Sequence, residues 1–245
     1  MLFRSQQLIR LCEKAGLVDP DLLADKMFLL ARTNPDAPKR QEGISFLLVD
    51  MKTPGITVRP TRLLDGSYEV NEIWFDNVRV PVSQRIGEEN QGWTYAKFLL
   101  GHERTNIAAI GASKRELRRL KQMAAQKAKD GGMMLQDPLF ASRIAQVEIE
   151  LRALEITNMR VIFDEARNHA PGPEASMLKI RGTEILQRIS ELQVELLGAE
   201  ALAYAGGDAD AARATSAYLN LRKLSIFGGS NEIQRNIIAH MILGL

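Results

Sequence analysis

Lys223–Leu245, KLSIFGGSNEIQRNIIAHMILGL, is the stretch on which the reading of this chain turns. An apolar run meets Gly228-Gly229-Ser230, and a helical pattern starts at once and runs to Leu245. Ser230 or Asn231 is suited to cap that helix, and Ile233, Ile237 and Met241 follow at helical spacing. Unpaired N–H groups at a helix start form an anion site, and glycines let a ligand approach the backbone closely. Taken alone, these residues read as a tight turn before a capped helix. No obvious catalytic side chain stands among them.

Working back from this stretch, the pattern stays helical to about residue 90. Ala211–Leu219 reads as a short helix, after an Ala205-Gly206-Gly207-Asp208 loop. A long helix is expected from about Glu174 to Leu197, with Leu178, Ile185, Ile189, Leu192 and Leu196 inward and Gly198 stopping it. Asp137-Pro138 reads as N-cap plus first helical position, opening a helix with Phe140, Ile144, Val147, Leu151 and Leu154 on one face. Gly92–Lys129 reads as a single long helical segment ended by Asp130-Gly131-Gly132. Together these make an antiparallel bundle.

Before residue 90 the pattern is β. Lys26–Arg32, Ile44–Val49, Ile56–Leu64 and Tyr68–Phe75 read as strands, with turns at Asn34-Pro35, Pro54-Gly55 and Asp65-Gly66. Pro60 inside its run marks an edge or a bulge. The fold class is therefore α+β: a partial antiparallel β-domain over residues 24–88, then a helical bundle over 89–245, with residues 1–23 unassigned.

The bulk numbers narrow the function. The chain has 245 residues, 45% hydrophobic and 25% charged, as in an ordinary globular protein. A formal net charge of +2 gives no nucleic-acid footprint. Cys12 is the single cysteine, which excludes an internal disulfide framework and a cysteine-based zinc site and fits a reducing, cytoplasmic compartment. His102, His169 and His240 are far apart in sequence, so no metal site is expected. No apolar run is long enough to span a membrane.

Five segments, in order, resemble the acyl-CoA dehydrogenase family. ADKMFLLARTNPDAP (24–38) and GISFLLVDMKTPGITVRP (43–60) are similar to strands of its middle β-domain. FDNVRVPVSQRIGEENQGW (75–93) resembles the exit into its C-terminal bundle, and LLGHERTNIAAIG (99–111) the first long helix of that bundle. IFGGSNEIQRNIIA (226–239) is similar to its terminal flavin- and substrate-binding turn.

The resemblance implies lipid metabolism of the β-oxidation kind: FAD-dependent conversion of an acyl-CoA to a trans-2-enoyl-CoA. A carboxylate removes the proton next to the thioester carbonyl, and a hydride leaves the neighbouring carbon for the flavin. Such a base needs a raised pKa, which burial beside apolar substrate provides. The developing enolate oxygen needs fixed donors, in the family a backbone N–H and a ribityl hydroxyl. In the commonest version of the family the base is a Glu directly before the glycine of the last turn. Here that position is Gly228, which has no side chain. A minority of relatives carry the Glu on the long helix, just before an Arg, which is Glu103-Arg104 in this chain. The resemblance thus makes Glu103 the base, with Arg104 orienting substrate or Glu103 and Gly228 keeping a backbone role. Taken alone, a Glu beside an Arg on a helix is a solvated pair. By position Gly229 contacts the thioester, and Ser230, Asn231 and Glu232 lie by the FAD pyrophosphate and ribose. Glu195-Leu196-Leu197-Gly198-Ala199 stands where the family touches the adenosine of a neighbouring subunit's FAD, usually as Gln-x-x-Gly-Gly.

Other family segments have no counterpart here: the N-terminal helical domain, the Trp-x-Thr/Ser strand that covers the flavin, and the Arg-x-x-Phe-Gly segment that reaches a partner's FAD. A shortened chain is the expectation. The resemblance also implies a homo- or hetero-oligomer, dimer or tetramer, with electron-transfer flavoprotein as acceptor. A non-catalytic partner subunit, a helical interaction module and an acyl-CoA oxidase are the other readings. Trp74 and Trp93 read as core or interface residues.

Overall fold

A computed structural model describes residues 25–103, 108–129, 132–168, 172–202 and 209–245. They form two compact units. The first comprises the described residues up to Leu63 with Ser67–Leu100, the second Leu64–Gly66 with Gly101–Leu245.

The first unit holds two antiparallel sheets. β1 (Lys26–Arg32) pairs with β2 (Ile44–Asp50), which also pairs with the short β5 (Arg85–Ile86). β3 (Ile56–Thr61) and β4 (Val70–Phe75) form a separate two-stranded sheet, in which Pro60 lies opposite Asn71 on an edge strand. Met27, Phe46 and Val49 are buried, and the rings of Phe28 and Phe46 stack at 5.5 Å. Ser45, also buried, bonds the Thr33 hydroxyl at 2.6 Å and accepts from the Asn90 N–H at 2.8 Å. Trp74 and Trp93 are not core residues: both are exposed, and Trp74 carries the Arg59 guanidinium over its ring at 5.4 Å. Asp65-Gly66 does not close a tight hairpin. The β3–β4 connection runs eight residues, and Asp65 belongs to the helical unit, where it accepts from Ser216 at 3.2 Å and Asn220 at 3.1 Å.

The segment expected as one helix over 92–129 is two. α1 is Gly92–Glu103 and α2 is Ile110–Gln126. Ala109, at φ 49°, takes a left-handed turn between them. No Gly or Pro announces this break, and Phe98 is exposed. Three helices complete the main bundle: α3 (Pro138–Asn168), α4 (Ala175–Leu197) and α5 (Ala209–Leu221). α6 (Asn231–Ile238) then continues into a wider turn at Ala239–Leu243.

Asp137 caps α3, its carboxylate accepting from the Leu139 and Phe140 N–H groups at 3.0 and 2.9 Å. α4 packs against α2, α3, α5 and α6 and is buried on most of its circumference. Leu178, Ile185, Ile189, Leu192 and Leu196 all sit in the core with Leu117, Leu120, Ile144, Val147 and Leu151.

Lys114 of α2 bonds Glu155 of α3, which Arg152 on the same helix also bonds. The Lys114 bond comes first among the causes that hold this carboxyl below its ordinary value. A depressed carboxylate stabilises the fold above its unfolded pKa, and that contribution is lost as pH falls through the folded one. Glu155→Gln is therefore expected to lower the melting temperature near pH 7 and to shrink the further loss on acidification to about pH 3. Melts of both proteins at the two pH values check this; equal acid-side losses would contradict it.

Candidate functional site

The turn before α6 is built by backbone that L-residues rarely adopt. Gly228 and Gly229 have φ of 69° and 85°. Ser230 caps α6, its hydroxyl accepting from the Ile233 N–H at 3.4 Å. Gln234, one turn into the helix, donates from Nε2 to the Gly228 carbonyl at 3.3 Å. A Cβ on Gly229 would meet that same Nε2 at 2.5 Å, so the second glycine leaves room for the clamp on the first.

The buried face of α6 is polar, not apolar. Asn231 and Gln234 face inward, while Ile233 is 52% exposed, as is Met241 in the wider turn that follows, at 68%. Asn231 meets α4, where Lys179 is 1% exposed and donates from Nζ to Asn231 Oδ1 at 2.8 Å. Burial lowers the Lys179 pKa, opposed by the negative charge of Glu232. Glu232 is held below the usual carboxylate value, first by its own backbone N–H and then by Ser230, with Arg235 and Lys179 adding to this.

Glu103 is the last residue of α1. Its side chain, and the whole of Arg104, lie outside the described residues. The chain is next described at Ala108, which is 1% exposed and packs on α4 at Gly182. A Cβ at Gly182 would lie 2.5 Å from the Ala108 carbonyl oxygen and 2.8 Å from its carbonyl carbon. Lys179 and Gly182 are three residues apart, on one face of α4. That face receives both the start of α6 and the backbone that follows Glu103.

Glu195 is not part of this cluster. It lies sixteen residues beyond Lys179, about 24 Å along α4, where it pairs with Arg143. No group of three or more metal-ligating side chains stands together among the described residues.

The turn fits a dinucleotide cofactor such as FAD. Two glycines open the backbone, a helix N-terminus follows, and a buried ammonium lies behind it. The charged Glu232 suits a hydroxyl donor such as ribose better than a phosphate. Sequence reasoning missed Lys179, Gly182 and Gln234. The sequence signal for Lys179 is a lone charge in Ala175–Ile180, an otherwise uncharged stretch.

Residues 90–243 match the family model for the C-terminal domain of acyl-CoA dehydrogenases. The chain is 34% identical over 219 residues to the acyl-CoA dehydrogenase FadE34 of Mycobacterium tuberculosis, covering 88% of this chain and 28% of that protein. It superposes on the crystal structure of an acyl-CoA dehydrogenase from Geobacillus kaustophilus with a TM-score of 0.80 at 27% identity, over 92% of this chain and 58% of that one. The ChsE4-ChsE5 complex of Mycobacterium tuberculosis gives 0.76 at 30% identity, over 91% and 57%. The chain spans between 28% and 57% of the length of the first curated relatives it matches.

Proposed function

The chain belongs to the acyl-CoA dehydrogenase family, and from that premise we propose that it carries the helical half of an FAD-dependent site that dehydrogenates an acyl-CoA to a trans-2-enoyl-CoA. The observation that carries this reading is the shared face of α4: Lys179 meets Asn231 of the last helix, and Gly182 meets the backbone five residues after Glu103. Two segments remote in sequence thereby meet one helix.

In this reading Glu103 takes the proton from the carbon next to the thioester carbonyl, and Arg104 orients substrate or base. Gly228 and Gly229 supply backbone to the thioester, where fixed donors stabilise the charge that develops on its oxygen. Ser230, Glu232 and the backbone of Asn231 hold the cofactor, the Asn231 side chain being bonded to Lys179, and Glu195 reaches the cofactor of a neighbouring subunit. FAD, when bound, supplies the acceptor for the hydride that leaves the next carbon. Electron-transfer flavoprotein then takes up the electrons. The exposed Ile233 of α6 and Met241 of the wider turn after it support assembly into a homo- or hetero-oligomer. The ChsE4-ChsE5 complex is an assembly of the second kind.

Mass analysis of the thioester tests the reaction. Incubation of the chain with FAD, an acyl-CoA and an electron acceptor is expected to yield a product two hydrogens lighter. A thioester of unchanged mass would contradict the reading. Hydrogen peroxide formed with oxygen as sole acceptor would assign the oxidase instead.

A further inference from the structure

We propose that Lys179 is a positioning residue: its buried ammonium, bonded to Asn231, holds the first turn of α6 on α4 and so fixes Gly228-Gly229-Ser230. This rests on the reading that the turn binds thioester and cofactor.

The placement is costly as mere packing. A buried ammonium loses hydration that one neutral acceptor restores only in part. It also sits beside a helix N-terminus, where the macrodipole already favours negative charge. Apolar residues of similar volume would pack this seam at lower cost. The seam is polar on both sides nonetheless. Ser176, one turn before Lys179, is fully buried, and its Oγ has no partner among the described residues. The Oε1 of Gln234, whose Nε2 clamps Gly228, is also buried without a partner among them.

Specificity of placement explains the arrangement. An apolar seam allows α6 to slide or rotate, whereas a bond between Lys179 and the first residue of α6 sets one register. The other polar tie between α4 and α6, Arg235 to Glu184 at 3.5 Å, is exposed and contributes little. From Asn231 the constraint passes through Ser230 to the two glycines, and Gln234 returns to Gly228 from the same helix face. The fixed positive charge behind the turn adds to the potential that the helix end offers an anionic ligand.

Amide hydrogen exchange of the full chain tests the clamp without any ligand. Lys179→Met and Asn231→Ala are each expected to raise exchange of the peptide spanning Gly228–Gln234 by about tenfold or more, the factor that loss of a charge-assisted hydrogen bond carries. Exchange across Ile110–Gln126 stays unchanged. The double variant exchanges no faster than the faster single one, because both substitutions remove one bond. Lys179→Met also weakens FAD binding by at least about tenfold. Unchanged exchange of the turn, additive effects, or a rise spread equally over the bundle would overturn the clamp. If Lys179→Met does not fold, Asn231→Ala alone decides on the same criteria. A wild-type chain that takes up no FAD overturns the proposed function and leaves exchange to judge Lys179. Equal FAD uptake with and without Lys179 overturns its positioning role.

Discussion

Glu103→Gln lowers acyl-CoA dehydrogenation by about 10²–10⁴-fold, the contribution of a positioned general base, and leaves the flavin content of the protein unchanged. The amide keeps the volume of the carboxylate and loses only its capacity to accept the proton. The expectation follows from the turn. In the proposed reading Gly228 stands where the resemblance places the usual base, and it has no side chain. Within the turn and the start of α6 the available carboxylate is Glu232, and its environment is wrong for the task. Its own backbone N–H and Ser230 favour the charged form and hold its pKa below the usual carboxylate value. A carboxylate stabilised in that way is a weak proton acceptor. Glu232→Gln is accordingly expected to change cofactor affinity more than turnover. Steady-state assays of both variants at matched flavin loading separate the assignments. Full activity of Glu103→Gln removes it from the mechanism, and abolition of turnover by Glu232→Gln would transfer the role.

Gly182→Ala destabilises the protein by about 1–3 kcal/mol, the cost of overpacking a closed interface. The local helix preference points the other way, since Ala in a helix interior is favoured over Gly by about 0.5–1 kcal/mol. Packing decides the sign. The added Cβ would meet the carbonyl oxygen, carbonyl carbon and Cα of Ala108 at 2.5 to 2.8 Å, and all of these are backbone atoms. Neither side can yield cheaply. Gly182 lies within a buried 23-residue helix, and Ala108 is buried just before the left-handed Ala109. A loss of this size corresponds to a melting temperature lower by roughly 2–12 °C for a chain of this length. Relief of the contact moves the backbone at 108 away from α4, and Glu103 is five residues upstream. Turnover is therefore expected to fall by more than the loss of folded protein explains. A Gly182→Ala protein that melts higher than wild type would show that the Ala108 backbone does not pack there.

The bundle was legible in the sequence because its signals are local. Asp137-Pro138 announces a capped helix start, and five apolar residues at helical spacing mark the inner face of α4. The strands were legible as short apolar runs between turn residues. The break after α1 was not, because the apolar spacing through Ile107 and Ile110 continues across it and Ala109 carries no signal of a left-handed conformation. Next to it the chain packs on Gly182, seventy-four residues further on, a contact that local sequence does not announce. The orientation of α6 was misleading for a related reason. Its isoleucines suggest an apolar inner face, yet Asn231 and Gln234 are the residues that meet α4 and the turn. A buried lysine decides that orientation, and a lone Lys in a helix reads as a surface residue unless its partner is known.

The visible absorption spectrum of the purified chain, recorded before and after acyl-CoA is added without oxygen, tests most directly whether this polypeptide carries a working site. The expected result is a protein-bound flavin band that bleaches on addition, with the band retained but the bleaching lost in Glu103→Gln. A colourless protein, or a band that acyl-CoA leaves unchanged, would contradict it.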